Sequence, residues 1–132
     1  FVLSGDTLYT GGCGRVFEGT PGQMYGSLQR LAGLPPSTGV YCAHEYTVAN
    51  LRFALQVEPE NQALQRRLAS AEDLRTEDQP TVPSTIGEEL QTNPFLRCQQ
   101  PELLGSLRAQ GKLEDDTPSA VFATVRGWKD TF

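Results

Sequence analysis

The sequence changes character near residue 60, and this change constrains the fold more than any other feature. Before that point, short apolar runs at residues 1–5 and 39–43 are typical of strands, and a glycine-dense stretch at residues 11–14 predicts a loop between them. After it, apolar residues recur at helical spacing. The pattern predicts an α+β chain with a soft subdomain boundary near residue 60 and a purely helical second part.

Proline and capping residues mark where the predicted helices begin and end. Thr20 and Thr117 each precede a proline, which is the pattern of an N-cap followed by the first helical position. A helix beginning near Glu45 should end at Glu58, because Pro59 cannot continue the hydrogen-bond ladder. Further helices are predicted at residues 61–75, from the capping-box pattern at 85–88, and at 101–110.

The overall composition is that of an ordinary globular protein, and it argues against two classes of function. The 132 residues are 38% hydrophobic and 20% charged, enough for one modest core. The net charge of -5, with 11 basic against 16 acidic residues, argues against a nucleic-acid surface, because phosphate binding needs concentrated Lys and Arg. No apolar run approaches the roughly 20 residues that span a bilayer, and none resembles a signal peptide, so we expect no membrane association.

The cysteines indicate a reducing compartment. The three residues stand at wide spacings with no C-x-x-C pair, so neither a disulfide framework nor a structural zinc site is suggested. Cys13 is not assigned as a nucleophile, because the chain has no second histidine to pair with it.

Two candidate metal ligands follow the two predicted strands. Asp6 comes directly after the first strand, and His44, the single histidine, follows the second. Carboxylate and imidazole are both zinc ligands, but a catalytic zinc usually has three protein ligands plus water, and a two-metal site needs more. Either these residues belong to a larger site whose other ligands lie upstream of this sequence, or they are ordinary loop residues.

Several segments carry specific motifs in a specific order. They read SGDTLY at residues 4–9, GGCGRVFEGT at 11–20, YCAHEYT at 41–47, NPF at 93–95 and VRGWKD at 125–130. Their order and spacing resemble glyoxalase II, the hydroxyacylglutathione hydrolases of the metallo-β-lactamase superfamily. The resemblance covers essentially the whole chain.

The resemblance implies a fold and a reaction. Residues 1–60 would be the C-terminal part of a metallo-β-lactamase αββα domain, and residues 61–132 a helical substrate-binding domain. The reaction would be hydrolysis of S-D-lactoylglutathione, or another S-2-hydroxyacylglutathione thioester, to glutathione and a 2-hydroxy acid by metal-bound hydroxide. In this family the aspartate of the GDT motif bridges two divalent metals and the histidine of HEY ligates one, which assigns Asp6 and His44. Zinc is expected, with iron or manganese as alternatives.

The family's other ligands come from a THxHxDH motif and one further histidine upstream of the first strand, and this sequence does not contain them. We therefore expect the chain to be the C-terminal half of such a protein, to need the N-terminal half for its metal site, and to hold no metal alone. The alternative is a catalytically inactive chain that retains only glutathione binding or a protein interaction. A cytoplasmic or mitochondrial-matrix location is expected.

The resemblance also assigns substrate-binding residues near the metal ligands. Arg15 stands where the family has Lys or Arg contacting glutathione, although a solvated surface arginine would give the same pattern. Phe17 stands where tyrosine is frequent, so a stacking surface remains while a hydroxyl is lost, and activity on other acyl thioesters is a third possibility. Tyr46 matches a substrate-contacting tyrosine, or is a half-buried core aromatic.

The last helix carries two more assigned residues. Arg126 and Lys129 are three positions apart and so share one face of the helix. They match the family's pair that receives the glycyl carboxylate of glutathione, a role that suits fixed cationic donors. The alternative is that they complement the dipole at the C-terminus of the helix.

Overall fold

The computed structural model describes residues 2–5, 8–9, 11–13, 21–42, 46–81 and 84–132. These residues form a mostly helical chain with a small amount of sheet. The strands are β1 (Val2–Gly5), β2 (Leu8–Tyr9), β3 (Gly12–Cys13), β4 (Gly39–Cys42) and β5 (Ser84–Thr85). The helices are α1 (Pro21–Ala32), α2 (Thr47–Val57), α3 (Gln62–Thr76), α4 (Ile86–Thr92), α5 (Pro101–Ala109) and α6 (Pro118–Thr131), with a 3-10 turn at Pro94–Leu96.

Three strands form one sheet with β4 in the centre. β1 runs parallel to β4, with Val2 opposite Val40 and Gly5 opposite Cys42. β5 pairs antiparallel with the other side of β4, where Val40 faces Ser84. The two predicted strands are confirmed as β1 and β4. Because they are parallel neighbours, both end at the same edge of the sheet.

β2 and β3 form a separate antiparallel hairpin, with Leu8 opposite Cys13 and Tyr9 opposite Gly12. The prediction of a loop at residues 11–14 is wrong for Gly12–Cys13, which form β3. Gly11 has a φ of 76°, a conformation that favours glycine. The error has a simple cause, since strands of two residues leave no periodicity in the sequence.

The helices begin and end close to the predicted positions. α2 ends at Val57, directly before the Glu58-Pro59 pair, and α6 begins at Pro118 after Thr117. At the start of α4 the Thr85 hydroxyl accepts a hydrogen bond of 3.1 Å from the Glu88 backbone N–H, which confirms the predicted N-cap. None of the helices in the described ranges is long and apolar enough to cross a bilayer.

The main hydrophobic core joins residues from both sides of residue 60. Leu8, Leu28 and Val40 are fully buried together with Phe95 and Phe122 from the later helical part. A second, smaller cluster between α2 and α3 consists of Leu51, Ala54, Leu64 and Ala71. The family-based division at residue 60 stays a prediction, since a shared core neither requires nor excludes it.

Candidate functional site

The paired ends of β1 and β4 mark the first candidate site. Gly5 and Cys42, the last residues of the two strands, are register partners. Asp6 and His44 follow them by one and two positions along the chain, and both lie outside the described residues. Among the described residues, no group of three or more His, Cys, Asp or Glu side chains is arranged to hold a metal ion. The predicted ligand roles stay predictions.

Tyr46 stands immediately before α2 and two positions after His44. Its side chain is 53% exposed, so the alternative of a half-buried core aromatic does not describe it. An exposed phenol at the start of a helix can present both a ring face and a hydroxyl to a ligand. Arg15 and Phe17 lie outside the described residues.

Arg126 is a buried cation that connects α6 to the hairpin. Only 5% of the residue is exposed. Its Nη1 donates to the Cys13 carbonyl oxygen at 2.9 Å, and its Nη2 and Nε donate to Asp130 Oδ1 at 2.8 and 3.2 Å. The guanidinium also lies 5.2 Å from the centre of the Phe95 ring. The described contacts therefore tie a C-terminal helix to β3, a role that the sequence did not predict.

Lys129 lies on the same helix and is half-buried. Its Nζ is 5.4 Å from the centre of the Phe53 ring, close enough for a cation–π interaction. Whether Lys129 and Arg126 receive a substrate carboxylate stays a prediction.

Two buried polar residues that contact the hairpin are not indicated by the sequence motifs. Glu89, on α4, is fully buried, and its Oε1 accepts a 2.8 Å hydrogen bond from the Gly11 backbone N–H. Asn93, at the end of α4, is also fully buried and donates through Nδ2 to the Gly12 carbonyl oxygen at 3.0 Å. The same Nδ2 donates to Glu89 Oε1 at 3.0 Å, so the two side chains support each other.

Three consecutive hairpin residues are thus bonded through their backbones to buried side chains of the helical part. Gly11 donates to Glu89, Gly12 accepts from Asn93, and Cys13 accepts from Arg126. We call these three side chains the helical clasp. A buried backbone group without a partner is costly, so the clasp removes a penalty that the short hairpin could not avoid alone.

Burial shifts the pKa of two groups at this place. Burial raises the pKa of Glu89, while its three hydrogen-bond donors and the positive charge of Arg67 oppose the shift. Burial also raises the pKa of Cys13 to about 11, against the opposing effect of Arg126. Cys13 is therefore a protonated thiol at neutral pH, which makes it a poor nucleophile.

One sequence signal could have identified the clasp. Glu89 stands three residues after Ile86 and four before Asn93, so all three share one face of α4. Ile86 is fully buried, and a carboxylate on the buried face of a helix must find donors. The pairing partners of Glu89 and Asn93 lie 78 and 81 residues away, however, and no local pattern indicates them.

A groove of about 710 Å³ lies away from both candidate regions. It is lined at the end of α2 by Glu58 and on α5 by Ser106. Eleven helical residues separate it from Tyr46 at the start of α2, a distance of about 16 Å along the axis. Inside it Arg97 binds Glu58 through bonds of 2.7 and 3.0 Å, so these two charges neutralise each other.

Known proteins resemble the chain along nearly its whole length. The family model for the C-terminus of hydroxyacylglutathione hydrolase matches residues 45–132. A hydroxyacylglutathione hydrolase of Chromohalobacter salexigens is 59% identical over 131 residues, which are 99% of this chain and 51% of the relative. Relatives with the same name from Pseudomonas paraeruginosa and Halorhodospira halophila are each 56% identical, covering 99% and 98% of this chain and 51% of each relative.

These matches confirm the resemblance seen in the sequence motifs. The chain spans about half the length of the curated relatives it matches. The matched family model covers α2 to α6 and contains all three residues of the helical clasp. The chain belongs to the hydroxyacylglutathione hydrolase family and includes its C-terminal region.

Proposed function

We propose that this chain forms part of a metal-dependent hydrolase that cleaves S-2-hydroxyacylglutathione thioesters, such as S-D-lactoylglutathione, to glutathione and a 2-hydroxy acid. The observation that carries the proposal is the parallel pairing of β1 with β4, whose ends are register partners. Asp6 and His44 follow those ends by one and two positions in the chain, which supports the proposal that two neighbouring strands supply an oxygen and a nitrogen ligand. The names of the relatives support the same reaction.

The donor chemistry fits divalent metal ions. A carboxylate and an imidazole are ligands that zinc, iron and manganese accept, and zinc is the proposed metal. Two such ions, when bound, would lower the pKa of a water molecule and supply a nucleophile at neutral pH. Asp6 and His44 are two ligands of a larger set, and we propose that an N-terminal half like that of the relatives supplies the others. We also propose that residues 1–60 and this N-terminal half together form the αββα metallo-β-lactamase domain.

The proposed substrate contacts come from both parts of the chain. Tyr46 is exposed and stands two positions after His44 in the sequence, which supports a role beside the thioester. Lys129 and Arg126 are proposed to attract the glycyl carboxylate of glutathione from α6. Since Arg126 is almost completely buried and paired with Asp130, Lys129 would make the direct contact, and Arg126 would act from behind it. Arg15 and Phe17 are proposed to contact the glutathione backbone.

The metal proposal is tested by metal analysis and thioester hydrolysis on a full-length protein containing this chain. The wild-type protein should contain two equivalents of divalent metal and hydrolyse S-D-lactoylglutathione. Asp6→Asn should lose metal and at least about 100-fold in kcat/KM, since losing even an outer-shell partner of a metal ligand costs about 10–100-fold. Asp73→Asn, an exposed carboxylate on α3, is the matched control and should change neither.

Two results would contradict the proposal. Full hydrolysis by Asp6→Asn at wild-type metal content would remove the ligand assignment. Glutathione binding without hydrolysis in the metal-loaded wild type would favour the rival function, a catalytically inactive binding protein.

Lys129→Ala is expected to raise KM by roughly tenfold with little change in kcat, which is how loss of uniform substrate binding behaves.

A further inference from the structure

The β2–β3 hairpin is too short to stabilise itself. Each strand has two residues, and even a longer isolated hairpin is only marginally stable in water. The hairpin leads directly into residues 14–20, which include Arg15 and Phe17. Whatever fixes Gly12–Cys13 therefore fixes the point from which that segment starts.

Helices enclose the hairpin from two sides. A Cβ atom added to Gly11 would lie 2.9 Å from Leu51 Cδ2, and one added to Gly12 would lie 2.9 Å from the Asn50 side chain, so α2 touches the glycines closely. On α4, Glu89 and Asn93 bind the backbone of the same two glycines. The small residues allow the close approach, and the polar bonds determine the register.

We infer that Glu89 and Asn93 are positioning residues for glutathione recognition: they hold the backbone of Gly11 and Gly12, close in the chain to the segment that contains Arg15 and Phe17. This inference rests on the proposed function, since it assigns a support to the same binding site. Glu89 and Asn93 act through the hairpin backbone, so their loss should weaken substrate binding more than the chemical step.

The geometry around Glu89 indicates which substitutions preserve the support. Its Oε1 accepts from Gly11 and Asn93, while its Oε2 accepts from the Ser84 hydroxyl at 2.7 Å. Glutamine keeps the Oε1 acceptor, and the Ser84 hydroxyl can reverse and accept from the new amide nitrogen. Methionine has a similar length but no strong acceptor, so both N–H donors lose their partner.

The test compares Glu89→Met with Glu89→Gln in a full-length protein, using thioester kinetics and direct binding of an S-alkylglutathione measured by calorimetry. Glu89→Met should raise both KM and the S-alkylglutathione Kd by about tenfold, with kcat changed less than about threefold. Glu89→Gln should remain within about twofold of the wild type in all three.

Two further variants keep the test decisive if Glu89→Met fails to fold. Asn93→Ser retains a side-chain oxygen for the Phe95 backbone N–H but is too short to reach the Gly12 carbonyl, so it should also raise Kd by about fivefold. Ser84→Ala removes the bond to Glu89 Oε2 without removing a hairpin bond and should change Kd less than about twofold.

The outcomes separate this inference from the proposed function. Wild-type protein that binds S-alkylglutathione but hydrolyses no thioester would overturn the reaction, while the Kd series would still test the positioning role. Unchanged Kd in a folded Glu89→Met or Asn93→Ser protein would overturn the inference, and so would a fall in kcat as large as the rise in KM. No binding by the wild type would overturn it as well.

Discussion

The β2–β3 hairpin and the α2–α3 helix pair are held by different kinds of interaction. The helix pair packs through an apolar stripe that includes Leu51, Leu64 and Ala71, all fully buried. The hairpin also buries Leu8 and Cys13, but its backbone is bonded to polar side chains of distant helices. One element is held by contacts close in sequence, and the other depends on residues about 80 positions later.

This difference has a functional meaning. A helix pair stabilised by its own apolar contacts tolerates substitutions in other elements. A hairpin stabilised by side chains of α4 should change when α4 is altered, and the segment that follows the hairpin should change with it. The segment that follows contains two of the proposed substrate contacts, Arg15 and Phe17. Under the proposed function, the helical part of the chain contributes Lys129 directly and also supports the hairpin that precedes Arg15 and Phe17.

The largest expected effect concerns the helix pair. Leu64→Ala removes a fully buried side chain from the α2–α3 cluster and should lower the free energy of unfolding by about 3–4 kcal/mol, from lost burial and the cavity left behind. Chemical denaturation measures this value. Leu68→Ala, on a half-buried neighbour, should cost clearly less, and equal losses would show that the stripe is not the main contact.

The second prediction concerns the hairpin. Glu89→Met leaves the buried Gly11 N–H and one N–H of the Asn93 amide without their acceptor. The free energy of unfolding should fall by about 2–3 kcal/mol, since relief of the buried carboxylate offsets part of the loss. Glu89→Gln should cost less than about 1 kcal/mol in the same denaturation experiment. A methionine variant as stable as the glutamine variant would show that the clasp contributes nothing.

A smaller effect is expected at the start of α3. Asn61 Oδ1 accepts from the Leu64 backbone N–H at 3.1 Å, and its Nδ2 donates to the Gln91 carbonyl at 3.0 Å. Asn61→Ala should lower stability by about 1 kcal/mol, the usual cost of a lost N-cap. Asn61→Asp keeps the N-cap acceptor and removes only the bond to the Gln91 carbonyl on α4. If Asn61→Asp lowers stability as much as Asn61→Ala does, the N-cap is not the reason for the loss.

The smallest effect is a change in pH dependence. Burial raises the pKa of Glu89 in the folded protein above its ordinary value of 4.5. Its stabilising contribution is therefore complete below pH 4.5 and is lost as pH rises toward the folded pKa, because the unfolded chain releases the proton first. The melting temperature of Glu89→Gln, measured as a function of pH, should not show this loss of stability as pH rises. Identical slopes in both proteins would contradict the assigned shift.

The sequence predicted the parts of this fold that depend on local signals. Thr85 caps α4 and Pro118 begins α6 because capping and proline chemistry act within one helical turn. β1 and β4 were identified from their apolar content, and with them the candidate ligands at their ends. Neither local propensity nor spacing, however, determines which strands pair, so the sequence did not predict that β1 and β4 are neighbours.

The parts that the sequence did not predict depend on contacts between distant residues. β5 has two residues and exists because Ser84 faces Val40 in β4. Glu89 follows Glu88 in a short polar helix, and an acidic pair of this kind is usually solvated. No local pattern indicates that Arg126 bonds the Cys13 carbonyl oxygen, 113 residues away. In each case a polar group has its role fixed by tertiary structure.

Hydrogen exchange at the Gly11 amide tests the helical clasp most directly. In the wild type this amide should exchange as slowly as core amides of α2, because its N–H is bonded to a fully buried carboxylate. In Glu89→Met the exchange rate of the Gly11 amide should increase by a factor at least about ten times larger than the factor for the α2 amides. In Glu89→Gln the Gly11 amide and the α2 amides should change by the same factor. A Gly11 amide that changes only in step with α2 in the methionine variant would contradict the claim that the helices hold the hairpin.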